Sequence, residues 1–397
     1  MEQLSKRLAQ LSESETIAMS QRSRELREKG YDIINLSLGE PDFPSPEHVK
    51  DAAKKAIDEN FTTYPPVPGI PELREAIAEK FKRDNNIDYK PSQIVVSTGG
   101  KQALANAIYS LVDEGDEIII PSPYWVSYPA MAQLAGGKSV FIYAGIDQDF
   151  KITPEQLEEA ITEKTKVLLI NSPSNPTGSV YSFEELKSLA EVLERHPNVF
   201  IISDEIYEYI NYDEKQHSLA EFEGLKDRVI IVNGVSKGFA MTGWRIGYIA
   251  APEWIASACS RIQGQYTSGA NSISQKAALA AVDGPMDYTF KMVEAFRRRK
   301  ELVVKLAREI PGLKVNNPAG AFYLFPNVSS FFGKSYNGKT IENARDMSFY
   351  LLEVAHVATV TGTAFGNKNC IRFSYATSDD LLAEAMKRIK NALADLA

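Results

Sequence analysis

Val229-Ile230-Ile231-Val232-Asn233-Gly234-Val235-Ser236-Lys237-Gly238-Phe239-Ala240-Met241-Thr242-Gly243-Trp244-Arg245-Ile246-Gly247-Tyr248 is the stretch from which the fold can be read. Its first four residues are apolar and β-branched, the mark of a strand covered on both faces. The run then breaks into a loop dense in glycine and aromatic residues. Working outward, similar runs recur at Ile94-Val95-Val96, Glu117-Ile118-Ile119-Ile120, Val167-Leu168-Leu169-Ile170, Val199-Phe200-Ile201-Ile202 and Tyr248-Ile249-Ala250. Helical patterns lie between them. The clearest follows Ser182, where Ser182-x-x-Glu185 forms a capping box and Leu186, Leu189, Ala190 and Leu193 repeat at i, i+3, i+4, i+7. The alternation continues to about residue 290 and predicts a mostly parallel α/β sheet, whose ligand sites gather outside the carboxyl ends of the strands.

Beyond it, Arg297-Arg298-Arg299-Lys300-Glu301 opens a long helix leading away from the sheet, and Pro311-Gly312 breaks it. From about residue 310 short strands mix with helices in a second unit, which Ile33-Ile34-Asn35-Leu36 is expected to join. With 397 residues, 44% of them hydrophobic, the chain can bury a large core. Its Lys+Arg count of 44 against 52 Asp+Glu leaves a net charge of -8 and no basic tract, so nucleic acid is not an expected partner. The two cysteines, Cys259 and Cys370, form no CxxC pair, which fits a reducing cytoplasm. His48, His196, His217 and His356 have no ligand spacing, so no metal is expected. No apolar run approaches the roughly 18 residues that span a bilayer, and neither a membrane segment nor a signal peptide is read.

Three strand ends carry chemistry. After Ile94-Val95-Val96 comes Ser97-Thr98-Gly99-Gly100-Lys101-Gln102-Ala103-Leu104, a glycine turn opening a helix. The free N–H groups and dipole of such a helix start bind anions, although glycine between strand and helix also serves plain turns. The run ending Ile201-Ile202-Ser203-Asp204-Glu205 brings Asp204 to a carboxyl end, where a buried carboxylate needs a cation; an isolated Asp there can equally be a solvated cap. Tyr207 shares the turn. In the opening loop, burial and neighbouring cations would lower the pKa of Lys237 and make its amine nucleophilic toward an aldehyde. Arg245 offers a fork suited to phosphate. A Schiff-base lysine, an Asp for a pyridinium nitrogen, and a helix start plus Arg for phosphate are the parts a pyridoxal 5'-phosphate (PLP) site requires.

The chain resembles class I aminotransferases of fold type I, particularly the aspartate aminotransferase subgroup Iβ. The likeness runs over nearly the whole length and is carried by Ser236 to Tyr248, Ser172-Pro173-Ser174-Asn175-Pro176-Thr177-Gly178, Ser203-Asp204-Glu205-Ile206-Tyr207 and Ser122-Pro123-Tyr124-Trp125. The resemblance implies the α/β fold of type I PLP-dependent transferases, with a mostly parallel seven-stranded sheet and a smaller α/β domain. Residues 1–45 would form an N-terminal arm and part of the small domain, 46–295 the large PLP-binding domain and 296–397 the C-terminal small domain. It further implies that Lys237 holds PLP as a Schiff base and shuttles the proton between substrate Cα and cofactor C4′. Asp204 would keep the pyridine nitrogen protonated, Asn175 and Tyr207 would bond the ring's 3′ oxygen, and Trp125 would stack on the ring. Gly99, Gly100, Lys101 and Arg245 match phosphate-binding positions. Tyr64, in Thr63-Tyr64-Pro65-Pro66, matches a tyrosine that reaches a neighbouring subunit's phosphate, which implies a homodimer with shared active sites.

For substrate, the resemblance matches Arg372 to the arginine that grips the α-carboxylate, with Gly39 assisting through its backbone. Lys101 matches a position associated with the distal carboxylate of aspartate. The implied reaction is transamination between L-aspartate and 2-oxoglutarate, with small amino acids and 2-oxo acids as the partners. Prephenate transamination ranks second: Thr16 and Lys101 agree with it, but Leu11-Ser12-Glu13 lacks the basic residue that prephenate-active members tend to carry before Ser14-Glu15-Thr16. A β-lyase or a cyclopropane-forming synthase on the same fold is a further alternative. A ligand-sensing domain of a DNA-binding regulator is disfavoured, because the first 30 residues are too short for a DNA-binding segment.

Overall fold

The computed structural model of the chain describes residue 11, residues 15–212 and residues 215–397. Its first strand, β1 (Ile34–Asn35), belongs to a small unit taken up below. The centre is a seven-stranded sheet of β2 (Ile94–Ser97), β3 (Glu117–Ser122), β4 (Lys138–Tyr143), β5 (Thr165–Asn171), β6 (Phe200–Asp204), β7 (Val229–Gly234) and β8 (Gly247–Ala250). They lie side by side in the order β2-β8-β7-β6-β5-β3-β4. The predicted runs are buried as expected: Ile118, Ile119 and Ile120 have no exposed surface, nor do Val229, Ile230 and Ile231.

The neighbours β4, β3, β5, β6 and β7 run parallel, whereas β8 is antiparallel to both β7 and β2. The reason lies in the connections. A parallel pair needs a helical crossover, which the capped helix Phe183–Glu194 supplies between β5 and β6. The loop joining β7 to β8 contains only one short 3₁₀ turn, Thr242–Trp244, so the chain returns beside the strand it has just left. Strand β4 is absent from the predicted runs because only Ile142 is buried along it, so it lacks the continuous apolar run of the other strands, including β2 at the opposite edge.

The long C-terminal helix spans Asp287–Arg308, ten residues earlier than the charged stretch suggests, and crosses the boundary expected at 295/296. Arg297 to Glu301 therefore lies mid-helix. The helix turns Met292, Phe296, Val303, Val304 and Ala307 inward. They pack with Leu36, Phe322, Leu351, Phe373 and Ile389 into a second hydrophobic core. Here β1 pairs parallel with β12 (Val357–Ala358), as the early Ile33–Leu36 segment predicts. A three-stranded antiparallel sheet places β14 (Ile371–Ser374) between β13 (Val360–Thr361) and β9 (Tyr323–Leu324), and β10 (Ser335–Tyr336) pairs with β11 (Lys339–Thr340). Ser12, Glu13 and Ser14, which bear on the prephenate reading, lie outside the described residues.

One contact fixes where the large sheet meets the helix Gly100–Leu111. A Cβ on Gly247 would strike the Gly100 amide, and a Cβ on Gly234 would come within 2.8 Å of the Gly247 Cα. Backbones therefore touch where side chains would ordinarily separate them. Gly247→Ala should cost about 1–3 kcal/mol through overpacking and lower the thermal midpoint; an unchanged melt would show that the contact can relax freely.

Candidate active site

The ends of β5, β6 and β7, the start of the helix Gly100–Leu111 and residues of the second core enclose a cavity of about 450 Å³. Parallel strands bring their carboxyl ends to one side, so this position follows from topology. Lys237 enters from the loop after β7. Its Nζ donates to the Gly39 carbonyl at 2.6 Å. Burial lowers its pKa to about 8, helped by Arg372 and Arg245 and opposed by Glu40 and Asp204. An amine in that range has the nucleophilic form available near neutral pH.

Asp204 ends β6 and is buried. The Tyr128 hydroxyl donates to its Oδ2 at 2.7 Å and the Ile206 N–H to Oδ1 at 3.3 Å, while Asn171 Nδ2 holds its main-chain carbonyl at 2.8 Å. Burial nevertheless pushes its pKa up to about 6 against those donors. Among the described residues no cation stands in ion-pair reach, so the carboxylate is oriented but not neutralised.

At the helix start, Gly99 takes φ +82, and a Cβ there would collide with the Arg245 guanidinium. Arg245 itself takes φ +58 and donates Nη1 to the Thr242 carbonyl at 3.0 Å. A fork, a helix dipole and free N–H groups thus converge at Gly99, whose conformation and close contact with Arg245 only glycine permits. Lys101 adds a second cation, 4.9 Å from the Trp125 ring centroid, and its pKa is lowered by burial and then by the charge of Arg245. The cluster favours an anion.

Arg372 points inward from β14. Its guanidinium lies between the rings of Tyr323, at 4.5 Å, and Phe365, at 4.9 Å. Nη1 donates to Asn175 Oδ1 at 3.0 Å and Nη2 to the Ser37 carbonyl at 2.8 Å, whereas Nε is buried with no partner among the described residues. Among the described residues no carboxylate pairs with it. A buried guanidinium with an unused donor is a receptor for a carboxylate.

Lys237, Asp204, Tyr207, Gly100, Lys101, Trp125, Asn175, Arg245, Gly39 and Arg372 therefore all line one cavity, as their motifs imply. Gly99 stands just behind its wall, beneath Arg245. Tyr64 does not line it and is 95% exposed. Sequence reasoning missed Tyr128, Asn171, Ser236, Tyr323 and Phe365, which also line it. Tyr128 carried a signal, three residues after Trp125; Tyr323 and Phe365 reach the site only through strand pairing.

A nucleophilic lysine, a carboxylate awaiting a cation, an anion cradle and a carboxylate receptor define an α/β enzyme site built for a phosphorylated aldehyde and an acidic substrate. The comparisons agree. Residues 31–389 match the family described as aminotransferase class I and II, and the chain belongs to that family. It is 49% identical to the aspartate/prephenate aminotransferase of Cereibacter sphaeroides, covering 99% of each chain, and 48% identical to the aspartate aminotransferase of Bacillus subtilis, covering 98% of each. Among solved structures it is similar to the aspartate aminotransferase of Rhizobium meliloti, with TM-score 0.97, 44% identity and 100% of each chain covered. The aspartate aminotransferase of Thermus thermophilus with maleate aligns with TM-score 0.92 at 40% identity, over 99% of this chain and 100% of that one. The chain is thus an aminotransferase whose cofactor is pyridoxal phosphate, and the uncompensated Asp204 beside the Gly99–Arg245 cradle fits that group.

Because the folded pKa of Asp204, about 6, stands above its ordinary 3.8, the folded chain binds the extra proton between those values. Stability contributed by protonated Asp204 is lost as pH rises through that window. Asp204→Asn should then stabilise the cofactor-free protein at pH 7 by up to the order of 2–3 kcal/mol, with the gain shrinking toward pH 4. The same variant loaded with PLP should lose about 10²–10³-fold in kcat. Melting curves across pH, set beside turnover, check both arms; a variant less stable at pH 7 than at pH 4, relative to wild type, contradicts them.

Proposed function

We propose that this chain transfers the amino group of L-aspartate to 2-oxoglutarate, giving oxaloacetate and L-glutamate. The observation that carries this reading is the pair of anion receptors, Arg372 and Lys101, lining the cavity of Lys237. Arg372 takes the α-carboxylate on its unpartnered Nε and its Nη groups, and its planar fork fixes the orientation of the substrate. Lys101, at the rim over Trp125, takes the distal carboxylate. Relatives named for aspartate, and a neighbour solved with the dicarboxylate maleate, support that assignment.

Lys237 holds PLP and, once freed as a neutral amine, its Nζ removes the proton from the substrate Cα. PLP, when bound, supplies the sink for the electrons that this proton leaves behind. Asp204 stabilises positive charge on the ring nitrogen, and Tyr128 and the Ile206 amide hold it in place for that task. Asn175 and Tyr207 address the ring oxygen, Trp125 the ring face, and Gly99, Gly100 and Arg245 the phosphate. The exposed Tyr64 completes the phosphate site of a second copy in a homodimer. Residues 46–295 form the large domain, and residues 296–397 with part of 1–45 form the small one. The cytoplasm is the compartment proposed for the reaction, on the two free cysteines Cys259 and Cys370. Among the described residues no helix is long and apolar enough to cross a membrane. Prephenate as a second acceptor is favoured by relatives named aspartate/prephenate aminotransferase.

Stopped-flow absorbance of the PLP-loaded protein tests the substrate reading. Aspartate should convert the cofactor to its amine form, and Lys101→Ala should weaken aspartate by about 10-fold or more while leaving phenylalanine nearly unchanged; equal losses for both would remove Lys101 from dicarboxylate recognition. Lys237→Ala should abolish borohydride-trapped cofactor, and trapping that persisted would transfer the Schiff base to another residue.

A further inference from the structure

Tyr323, on β9, belongs to the second core, and its hydroxyl lies 2.8 Å from that of Tyr207, on the segment after β6. Both side chains are buried and both line the cavity. Among the described residues, the hydroxyl of Tyr323 makes its hydrogen bond to Tyr207 alone. Two adjacent hydroxyls own two protons, and only one fits between them. If Tyr207 donates, the Tyr323 proton has no acceptor and Tyr207 has none to offer the cavity. If Tyr323 donates, the Tyr207 O–H is left for an acceptor in the cavity. Once an oxygen anion sits beside Tyr207, only the second arrangement uses both protons. Donation into the Tyr207 oxygen also polarises its own O–H and strengthens what it donates onward.

The face of the same Tyr323 ring lies 4.5 Å from the Arg372 guanidinium. One side chain therefore touches the carboxylate receptor with its face and the ring-oxygen donor with its edge. We propose that Tyr323 is a positioning residue: its hydroxyl donates to Tyr207 and so directs the Tyr207 proton at the cofactor's ring oxygen, while its ring holds Arg372 flat for the substrate carboxylate. This rests on the reading of Lys237 and Tyr207 as pyridoxal-phosphate residues.

The two halves separate in experiment. Weaker donation leaves the ring oxygen more basic, so the lysine-bound cofactor should keep its shared proton to higher pH. In the PLP-loaded protein, Tyr323→Phe should raise the midpoint of the pH-dependent visible absorbance by about 0.4–1 unit, with the KM for aspartate held within about twofold because the ring face is kept. Tyr323→Leu should show the same midpoint shift and also raise that KM by about 5- to 30-fold. In a Tyr207→Phe background, Tyr323→Phe should add no further shift. An unmoved midpoint in Tyr323→Phe, or an equal shift without Tyr207, overturns the relay. Tyr323→Leu with unaltered KM overturns the role toward Arg372. A wild-type protein with no pH-dependent visible band would instead defeat the underlying assignment of Lys237.

Discussion

Three charges, the buried Asp204 and Arg372 and the half-buried Lys237, share one cavity, and among the described residues none has an ion-pair partner. Burying a charge without a partner is among the costliest things a fold can do. This fold does so at Asp204 and Arg372, with Lys237 half-buried in the same cavity, and the surroundings show how. Neutral groups orient each charge without cancelling it: the Tyr128 hydroxyl and Ile206 amide for Asp204, the Gly39 carbonyl for Lys237, and Asn175 with the Ser37 carbonyl for Arg372. A carboxylate partner at Arg372 would have satisfied the arginine and closed the receptor. Leaving the pairing to ligands makes their binding a source of stability as well as of chemistry. The large cores on either side supply the stability that the site withholds.

Those ligands differ in what they neutralise. In the proposed reading a cationic ring nitrogen would answer Asp204, a phosphate the helix start with Arg245, and a substrate carboxylate Arg372. Lys237 stands apart because it changes state: with its pKa near 8 it can leave its charge behind and act as an amine. Its neighbours Arg372 and Arg245 lower that pKa, so the residues that receive anions also help keep the lysine neutral. An anion arriving at either arginine weakens that help. Binding and nucleophilicity are therefore electrostatically linked at this site.

How much of this was legible depended on where a residue's environment comes from. The six other strands of the large sheet could be read because burial writes a continuous apolar run even along the edge strand β2, and β4 could not because its exposed residues erase it. The helix beginning at Asp287 was placed too late because Met286 offers no side-chain cap, so the charged run further on was the first clear signal. Lys237, Asp204, Asn175 and Arg245 stand in segments whose local pattern names them. Tyr323 does not. It becomes a site residue only because β9 pairs with β14 so that Tyr323 faces Ser374, which sets its ring diagonally beside Arg372. That register is a property of two strands 50 residues apart, and neither announces the other.

The same logic explains why residues 37–45 matter although they form almost no regular structure. Arg372 holds the Ser37 carbonyl, Lys237 the Gly39 carbonyl and Thr242 the Glu40 carboxylate at 2.9 Å. Arg299 of the long helix grips Asp42 with both Nη groups, at 2.7 and 2.9 Å, and Ser45 donates to the Ala240 carbonyl at 3.0 Å. The segment is thus stitched to the lysine loop and to the second core together. Its two innermost stitches use the donors that ligands require, yet they are not equivalent. Arg372 retains an unpartnered Nε, so a carboxylate can bind there while Ser37 stays held. Lys237 has only its one nitrogen. A covalent bond to an aldehyde would leave that nitrogen fewer protons to donate, and the Gly39 carbonyl would then have to share or give up its donor. Occupation of the lysine would therefore weaken the stitch at Gly39, while the Arg299–Asp42 fork keeps the rest of the segment in place.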